Sequence, residues 1–395
     1  MQKLNIGLFG FGCVGQGLYE VLKGSLGINA EILKIGVKNA DKKRPLPPDM
    51  FTYEKGDLLG NSEINLIVEL IDDANAAFDI VKQALESGKN VVTANKKMVA
   101  ENLQELIALQ QKNGTSLLYE ASSCGSIPII RTLEEYYGNE HLKSVSGIFN
   151  GSSNFILTQI SQKNLSYEDA LKLAQEMGFA ETDPSLDVGG FDPKYKLIIL
   201  IAHAFGKIIP PSRILNIGIE TLSTYDLKFA REKGWKLKLT PKVYMTDENS
   251  ITAYVLPSFI SKENYLYNVE FEYNAVTVQA SFSQKQLFYG KGAGGHPTGS
   301  AVLSDISANA FNYKYEYKKL SRPVDNFKDN AEIKVYLRVS NASLIKDFRF
   351  NNIEETFSSE KFCYVIGNIR LDEIQLNRDR ILNTGSFIAT LPEQD

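Results

Sequence analysis

A doubly wound parallel α/β sheet, followed by an α+β region and a small α+β tail, is the fold this 395-residue sequence predicts. Three observations carry the prediction. Early in the chain, short apolar runs alternate with amphipathic stretches and short connections, the pattern of parallel strands joined by crossover helices. A glycine-rich turn, GFGCVG at Gly10 to Gly15, sits between the first such strand and the first helix. After Lys238 the pattern changes to alternation (ITAYVL, VEFEYNAVTVQASF), as in an antiparallel sheet with one buried face.

Composition sets the bounds. The length allows two or three domains with ample core. A net charge of −4 gives no footing for nucleic acid or another polyanion. No run has the length of a membrane span, and MQKLNIGLFG turns straight into a strand rather than a signal peptide. Three scattered cysteines and three scattered histidines, without CxxC spacing, argue for a reducing compartment and against a disulfide framework or zinc site. The expected location is the cytoplasm.

In chain order, the strand Lys3 to Phe9 leads into G-x-G-x-x-G at Gly10, Gly12 and Gly15 and a helix through Leu22, the dinucleotide fingerprint in its proper context. Gly10 allows the tight turn, Gly12 the approach of a pyrophosphate, and Gly15 close helix–strand packing. With Cys13 and Val14 these residues form the expected cofactor-binding turn of a Rossmann-type domain, the helix N-terminus supplying amides to phosphate. A second strand, Glu31 to Val37, ends in KNADKKR. Lys38, with Lys42, Lys43 and Arg44 behind it, suits a 2′-phosphate and predicts NADP; Asp41 keeps NAD open. Further strands are expected at Ile64 to Leu70, Asn90 to Thr93 and Ser116 to Tyr119, with helices at Ala74 to Glu86, Glu101 to Lys112 and Ile127 to Tyr136. Ligand groups belong at strand C-ends, which places Asp72, Asp73, Asn95, Lys96 and Glu120 to Gly125 around the cofactor cleft. Gly294, in the loop GKGAGGHPTG ahead of another helix, is a second close backbone approach.

After a strand at Ser144 to Phe149, a helix begun by NGSSNFILTQI from Asn150 and another from the capping box Ser166-x-x-Asp169, the chain reaches GFAETDPSLDVGGFDPKYKLIILIAHAFG, Gly178 to Gly206. Its first half is acidic (Glu181, Asp183, Asp187, Asp192); its second is apolar enough for a buried helix. Asp192 before Pro193 reads as an N-cap and helix start. Lys196 then stands one turn beyond Asp192 on the same face, where the helix N-terminus and apolar surroundings disfavour its charge and Asp192 opposes them. Alone, this stretch reads more readily as an ordinary capped helix with solvent-facing lysines.

Together, GLFGFGCVGQGL, VELI, TANKKMVA, YEASSCGSIPIIRTL, GIFNGSSNFILT, the stretch just quoted and GAGGHPTGSAVLSDI resemble, in this order, the blocks of homoserine dehydrogenases, over roughly Lys3 to Ala310. No kinase-like region precedes them, as in the monofunctional form. The resemblance implies NAD(P)-dependent interconversion of L-homoserine and L-aspartate 4-semialdehyde, on the branch towards threonine and methionine. It places Lys196 and Lys96 as catalytic lysines and Asp192 as an active-site aspartate, with Glu181 holding the substrate amino group; on chemical grounds Asp187, in the same acidic stretch, is a second anion for that ammonium. Glu120, Ser123, Gly125 and Ile127 match a loop whose carbonyls bind a monovalent cation in some members. The resemblance also implies a homodimer or homotetramer.

The expected domains are a nucleotide-binding domain at 1–137 onto which 291–320 packs back, a catalytic/dimerisation domain at 138–290, and a short, degenerate ACT-like C-terminal unit at 330–395 with a helical segment around Lys346 to Phe357. Asp72-Asp73 stands where the family has Gly-Gly. That departure is the one support for a rival reading, a catalytically idle cofactor-binding regulatory homologue. The intact Lys96, Glu181, Asp192 and Lys196 oppose it.

Overall fold

The computed structural model describes residues 3–392, and their contacts divide the chain into two compact units. The first takes Met1–Asn139, Ile198–Ile208 and Gly290–Arg322. Its strands β1 (Leu4–Phe9), β2 (Ala30–Gly36), β3 (Phe51–Thr52), β4 (Leu66–Glu69), β5 (Asn90–Thr93) and β6 (Leu117–Leu118) form one parallel sheet in the order β3-β2-β1-β4-β5-β6. Ile6, Leu8, Leu66, Ile67, Val68, Val91 and Val92 are fully buried, as a sheet covered on both faces requires. The order reverses between β1 and β4, so the crevice for a ligand opens at their C-terminal ends. This is the doubly wound fold the sequence predicts, with the helices Cys13–Gly24, Ala74–Glu86 and Lys96–Asn113 as crossovers.

The helix Gly295–Asn309 belongs to the same unit and lies against Cys13–Gly24. Glycine sets that distance: a methyl at Gly17 would stand 2.2 Å from the Gly295 carbonyl oxygen. The helix expected over Ile127 to Tyr136 is only a short turn, of π type at Thr132–Tyr136. Pro128 lacks an amide hydrogen, and the buried Glu120 carboxylate takes the amides of Ile130 and Arg131 at 2.7 and 2.8 Å, so the turn starts late.

The second unit takes Glu140–Leu197, Ile209–Tyr289 and Pro323–Asp395. Its strands are β7 (Leu142–Ile148), β8 (Leu215–Asn216), β9 (Lys236–Asp247), β10 (Ser250–Ile260), β11 (Tyr273–Ala280), β12 (Lys285–Lys291, its last two residues counted with the first unit), β13 (Asn326–Phe327), β14 (Glu332–Val339), β15 (Phe350–Ser358), β16 (Cys363–Arg370) and β17 (Phe387–Thr390). They make one mixed sheet, β12-β11-β7-β9-β10-β17-β14-β16-β15, with β8 and β13 paired to β10. The helices Gly151–Lys163, Tyr167–Glu176 and Thr224–Glu232 are capped by Asn150, Ser166 and Ser223, the last through a full capping box with Asp226. One hydrophobic cluster takes Leu215, Ile217, Tyr254 and Leu256 together with Ile333, Val335, Leu337, Ile374, Ile381 and Ile388. The buried Arg338–Asp226 ion pair, at 2.8 Å, ties β14 to the helix Thr224–Glu232.

The tail departs from the expected pattern at Lys346 to Phe357. Residues Phe350–Ser358 are the edge strand β15, paired antiparallel with β16 through two register shifts. The polar run NNIEET reads as a solvent-facing helix, but on an edge strand it faces water almost throughout, so periodicity could not separate the two. Two short helices, Leu371–Leu376 and Arg378–Asn383, follow β16 and were not expected.

Candidate active site

In the first unit the cofactor turn is built from backbone. Gly10 has φ +94°, and a side chain there would meet the Leu70 carbonyl oxygen at 2.5 Å, so only glycine passes between β1 and β4. Gly12 has open space where a Cβ would be and is the N-cap of the helix Cys13–Gly24. No side chain caps that helix, so its first amides are left for an anion, with Cys13 exposed and Val14 half-buried in its first turn. Gly294 likewise starts the helix Gly295–Asn309 without a side-chain cap. The turn fits a dinucleotide pyrophosphate.

The neighbouring strand ends are braced by side chains. Glu69, fully buried at the end of β4, accepts from Thr93 Oγ1 at 2.5 Å and from the Ile71 amide at 2.7 Å. Burial pushes its carboxyl up to about 7. Asn95 caps the helix Lys96–Asn113 through the Met98 amide and donates to the Ile71 carbonyl, both at 3.0 Å. Lys96 is half-buried in the first turn of that helix. Asp73 caps the helix Ala74–Glu86, accepting from Asn75 and Ala76 at 3.0 Å, and those amides hold its carboxyl below the usual range. The acid at the unusual Asp72-Asp73 position thus has a local structural job, which removes the support for an idle homologue. Lys38 is exposed and stands 3.9 Å from Asp73.

The loop after β6 carries two successive left-handed residues, Cys124 and Gly125, at φ +58° and +57°. The Glu120 carbonyl accepts the Ser123 amide and the Ile127 carbonyl accepts that of Ile129. The Ser123 hydroxyl is buried with no hydrogen-bond partner among the described residues, and a carbonyl oxygen has a second lone pair, so this donor set suits a hard monovalent cation. Asp305, fully buried, fixes the loop's start by accepting the Glu120 amide at 2.8 Å. Among the described residues no group of His, Cys, Asp and Glu could hold a metal ion.

In the second unit the site is made of side chains. The helix runs Phe191–Phe205 and begins one residue before the expected Asp192 cap; Gly190, at φ +76°, makes the turn. Asp192 is therefore inside the first turn, and the Lys194 amide bonds the Gly190 carbonyl. Its carboxylate goes instead to Lys196, 2.8 Å away at i+4, and to Asn150 Nδ2 at 2.9 Å. Lys196 Nζ also donates to the Phe149 carbonyl at 2.6 Å, and both Lys196 and Asp192 are buried. An ammonium has three hydrogens, so one remains for a ligand oxygen. Asn150 joins the cluster at its centre: while its Oδ1 caps the helix Gly151–Lys163, its Nδ2 also reaches Asp187 Oδ1 at 2.6 Å. Burial, and then the Asp192 charge, raise the Asp187 carboxyl.

Glu181 stands apart. It is exposed, and among the described residues its backbone carbonyl accepts from Gln175 Nε2 at 3.0 Å. Three side chains at the site that the sequence did not single out are Asn150, Glu69 and Lys194. Asn150 had a signal, an Asn-Gly-Ser-Ser start that is a strong N-cap; Glu69 is a lone acid in an apolar strand. Lys194, opposite Lys196 on the helix, is buried against the Asn216 amide oxygen at 2.8 Å, and burial lowers it to about 8 with Arg378 adding to the shift.

The chain matches the family model described as homoserine dehydrogenase over residues 128–307, and that of the homoserine dehydrogenase NAD binding domain over residues 10–120. It is 37% identical to the homoserine dehydrogenase of Lactococcus lactis over 316 residues, 77% of this chain and 74% of that one. The crystal structure of a homoserine dehydrogenase from Thiobacillus denitrificans superposes with a TM-score of 0.85 at 30% identity, covering 99% of this chain and 98% of that one. A hyperthermophilic archaeal homoserine dehydrogenase mutant in complex with NADPH matches with a TM-score of 0.69 at 26% identity, over 80% of this chain and all of that one. The parallel sheet with its glycine turn, the Asp192–Lys196 pair and these matches agree, and the chain belongs to the homoserine dehydrogenase family.

Proposed function

We propose that Lys196 is the proton-handling group of this homoserine dehydrogenase, which interconverts L-homoserine and L-aspartate 4-semialdehyde with a nicotinamide cofactor. The observation that carries the proposal is the buried Asp192–Lys196 pair, held in one direction by a carboxylate and a carbonyl. When bound, the cofactor accepts or gives the hydride. Negative charge then builds on the substrate oxygen during aldehyde reduction, and the third hydrogen of Lys196 stabilises that charge and supplies the proton. In the oxidative direction the same nitrogen takes the proton from the hydroxyl. Asp192 and the Phe149 carbonyl fix the ammonium's orientation. Lys96, at a helix N-terminus, is the second lysine of this reading. Glu181 and Asp187 are the anions for the substrate ammonium.

Gly10, Gly12, Cys13, Val14 and Gly15, together with Asn95 and Gly294, would hold the cofactor, and Lys38 would select NADP through its 2′-phosphate. Support for NADP comes from the basic end of β2 and from the NADPH complex of the archaeal relative. The carbonyls of Glu120, Ser123, Gly125 and Ile127 take a monovalent cation. The enzyme is a cytoplasmic homodimer or homotetramer in this reading, which light scattering on the purified protein checks; among the described residues no helix is long and apolar enough to cross a membrane.

The deciding experiment is Lys196→Ala assayed with homoserine and NADP⁺ or NAD⁺. Turnover falls by ~10²–10⁴-fold, the usual contribution of a general acid–base group. Retention of more than about a tenth of kcat removes Lys196 from the role.

A further inference from the structure

Arg378 lies in the C-terminal tail, beyond the residues the homoserine dehydrogenase family model matches, on the short helix Arg378–Asn383. Its Nε donates to the Asn216 carbonyl at 2.8 Å, across 162 residues of sequence. The Asn216 side chain in turn donates to the Gly189 carbonyl at 2.7 Å and accepts from Lys194 Nζ at 2.8 Å. Phe191, first residue of the helix that carries Asp192 and Lys196, has the Arg378 guanidinium 5.6 Å and the Lys194 ammonium 4.9 Å from its ring centroid. The turn itself is tight: Gly190 sits at φ +76° beside Asn216 Cβ, and a methyl on Gly218 would overlap the Val188 carbonyl. The Ile219 amide on the Val188 carbonyl at 2.8 Å and Val255 beside Gly190 also pack this turn, but Asn216 and Phe191 are the two of its contacts that Arg378 touches.

We propose that Arg378 is a positioning residue for homoserine turnover, fixing through Asn216 and Phe191 the Gly189–Gly190 turn and the first turn of the Lys196 helix. A planar guanidinium can donate to a carbonyl and lie over a ring together, which an ammonium does less well. The proposal rests on the placement of Asp192 and Lys196 in the substrate site and extends it to the tail.

The test compares Arg378→Ala, Arg378→Lys and Arg380→Ala in the full-length enzyme, with Phe191→Leu as a second way into the same contact. Arg380 is on the same helix but pairs with Asp347 at 3.2 Å. Arg378→Ala is expected to lower kcat/KM for homoserine by ~10-fold, as loss of one charge-assisted bond would, while KM for the cofactor stays put. Arg378→Lys recovers part of the loss, Phe191→Leu reproduces its direction, and Arg380→Ala behaves as the parent. Unchanged homoserine kinetics in Arg378→Ala overturn the proposal. So does a loss that only tracks the folded fraction and falls equally on both substrates; if Arg378→Ala does not fold, Arg378→Lys and Phe191→Leu are read by the same criteria. Lys196→Ala separates the two ideas: if it keeps turnover the site reading fails, whereas if it loses turnover and Arg378→Ala changes nothing, only the present inference fails.

Discussion

The two units prepare for their ligands by opposite means. The first offers backbone: an uncapped helix start at Gly12, a left-handed Gly10 and a second uncapped start at Gly294. The second offers charged side chains already bound to one another, with Asn150 between Asp187 and Asp192 and Lys196 against Asp192 and Phe149. Backbone amides can cradle a phosphate whose charge never changes, and glycine is enough to specify them. A proton has to be moved by a titratable group, and holding such a group indoors requires partners for its charge. On the proposed reading, glycine serves the binding site and buried acids and bases the reacting one.

That contrast can be broken experimentally. The largest expected effect is the loss of turnover in Lys196→Ala, which leaves the backbone cradle alone; cofactor affinity by fluorescence titration should stay within about twofold. Next comes pH. Glu69 in the first unit is raised to about 7 from an ordinary 4.5, so the folded state binds its proton more tightly, and stability falls as pH climbs from 4.5 to 7. Lys238 in the second unit, fully buried against Asn154 and Val269, is lowered to about 7 from 10.5 by burial. There the unfolded state binds the proton more tightly, so stability rises with pH from 7 to 10.5. Denaturation followed by the single tryptophan, Trp235, which packs on Phe229 and Phe259 in the second unit, should show the alkaline rise, and Lys238→Met should flatten it. Glu69→Gln should flatten the acidic slope seen by calorimetry.

Smaller effects sharpen the same comparison. Gly17→Ala puts a methyl against backbone and should cost about 1–3 kcal/mol, as overpacking does, visible as a lower Tm and weaker cofactor binding with homoserine KM unchanged. Smallest is Lys38→Glu, which should weaken NADP by roughly tenfold, the scale of one charge-assisted contact, and NAD less. Equal loss for both cofactors would remove the 2′-phosphate contact.

What the sequence made legible was local. The glycine turn, the helix Ala74–Glu86, strand β5 and the i,i+4 spacing of Asp192 and Lys196 all lie within a few turns of their signal. The expected helix start, Pro193 behind an Asp192 cap, lies two residues late because a capping acid and a proline look alike whether the acid stands at the cap or just inside the helix; Gly190 decides that through its backbone. The role of Asn150 depends on acids 37 and 42 residues away, and that of Arg378 on a carbonyl 162 residues away, distances at which no periodicity speaks. Strand β15 was unreadable for a related reason: an edge strand exposed on both faces has no alternation to show.

The contact between Gly17 and Gly295 has a consequence for biogenesis. The first unit is stitched from three separate stretches, and its last helix also supplies Asn309 to the Asn90 side chain and Asp305 to the Glu120 amide. A nascent chain emerging from the ribosome lays down the six-stranded sheet and its crossover helices first yet cannot finish covering the sheet until Asn309 has been made. By then β7 to β11 of the second unit have already emerged, while β17 has not. Neither unit can finish before the other has begun, so folding that proceeds domain by domain along the growing polypeptide is closed to this architecture, and a chaperone holding the half-made sheet would be guarding the surface that Val302 and Ile306 are destined to bury.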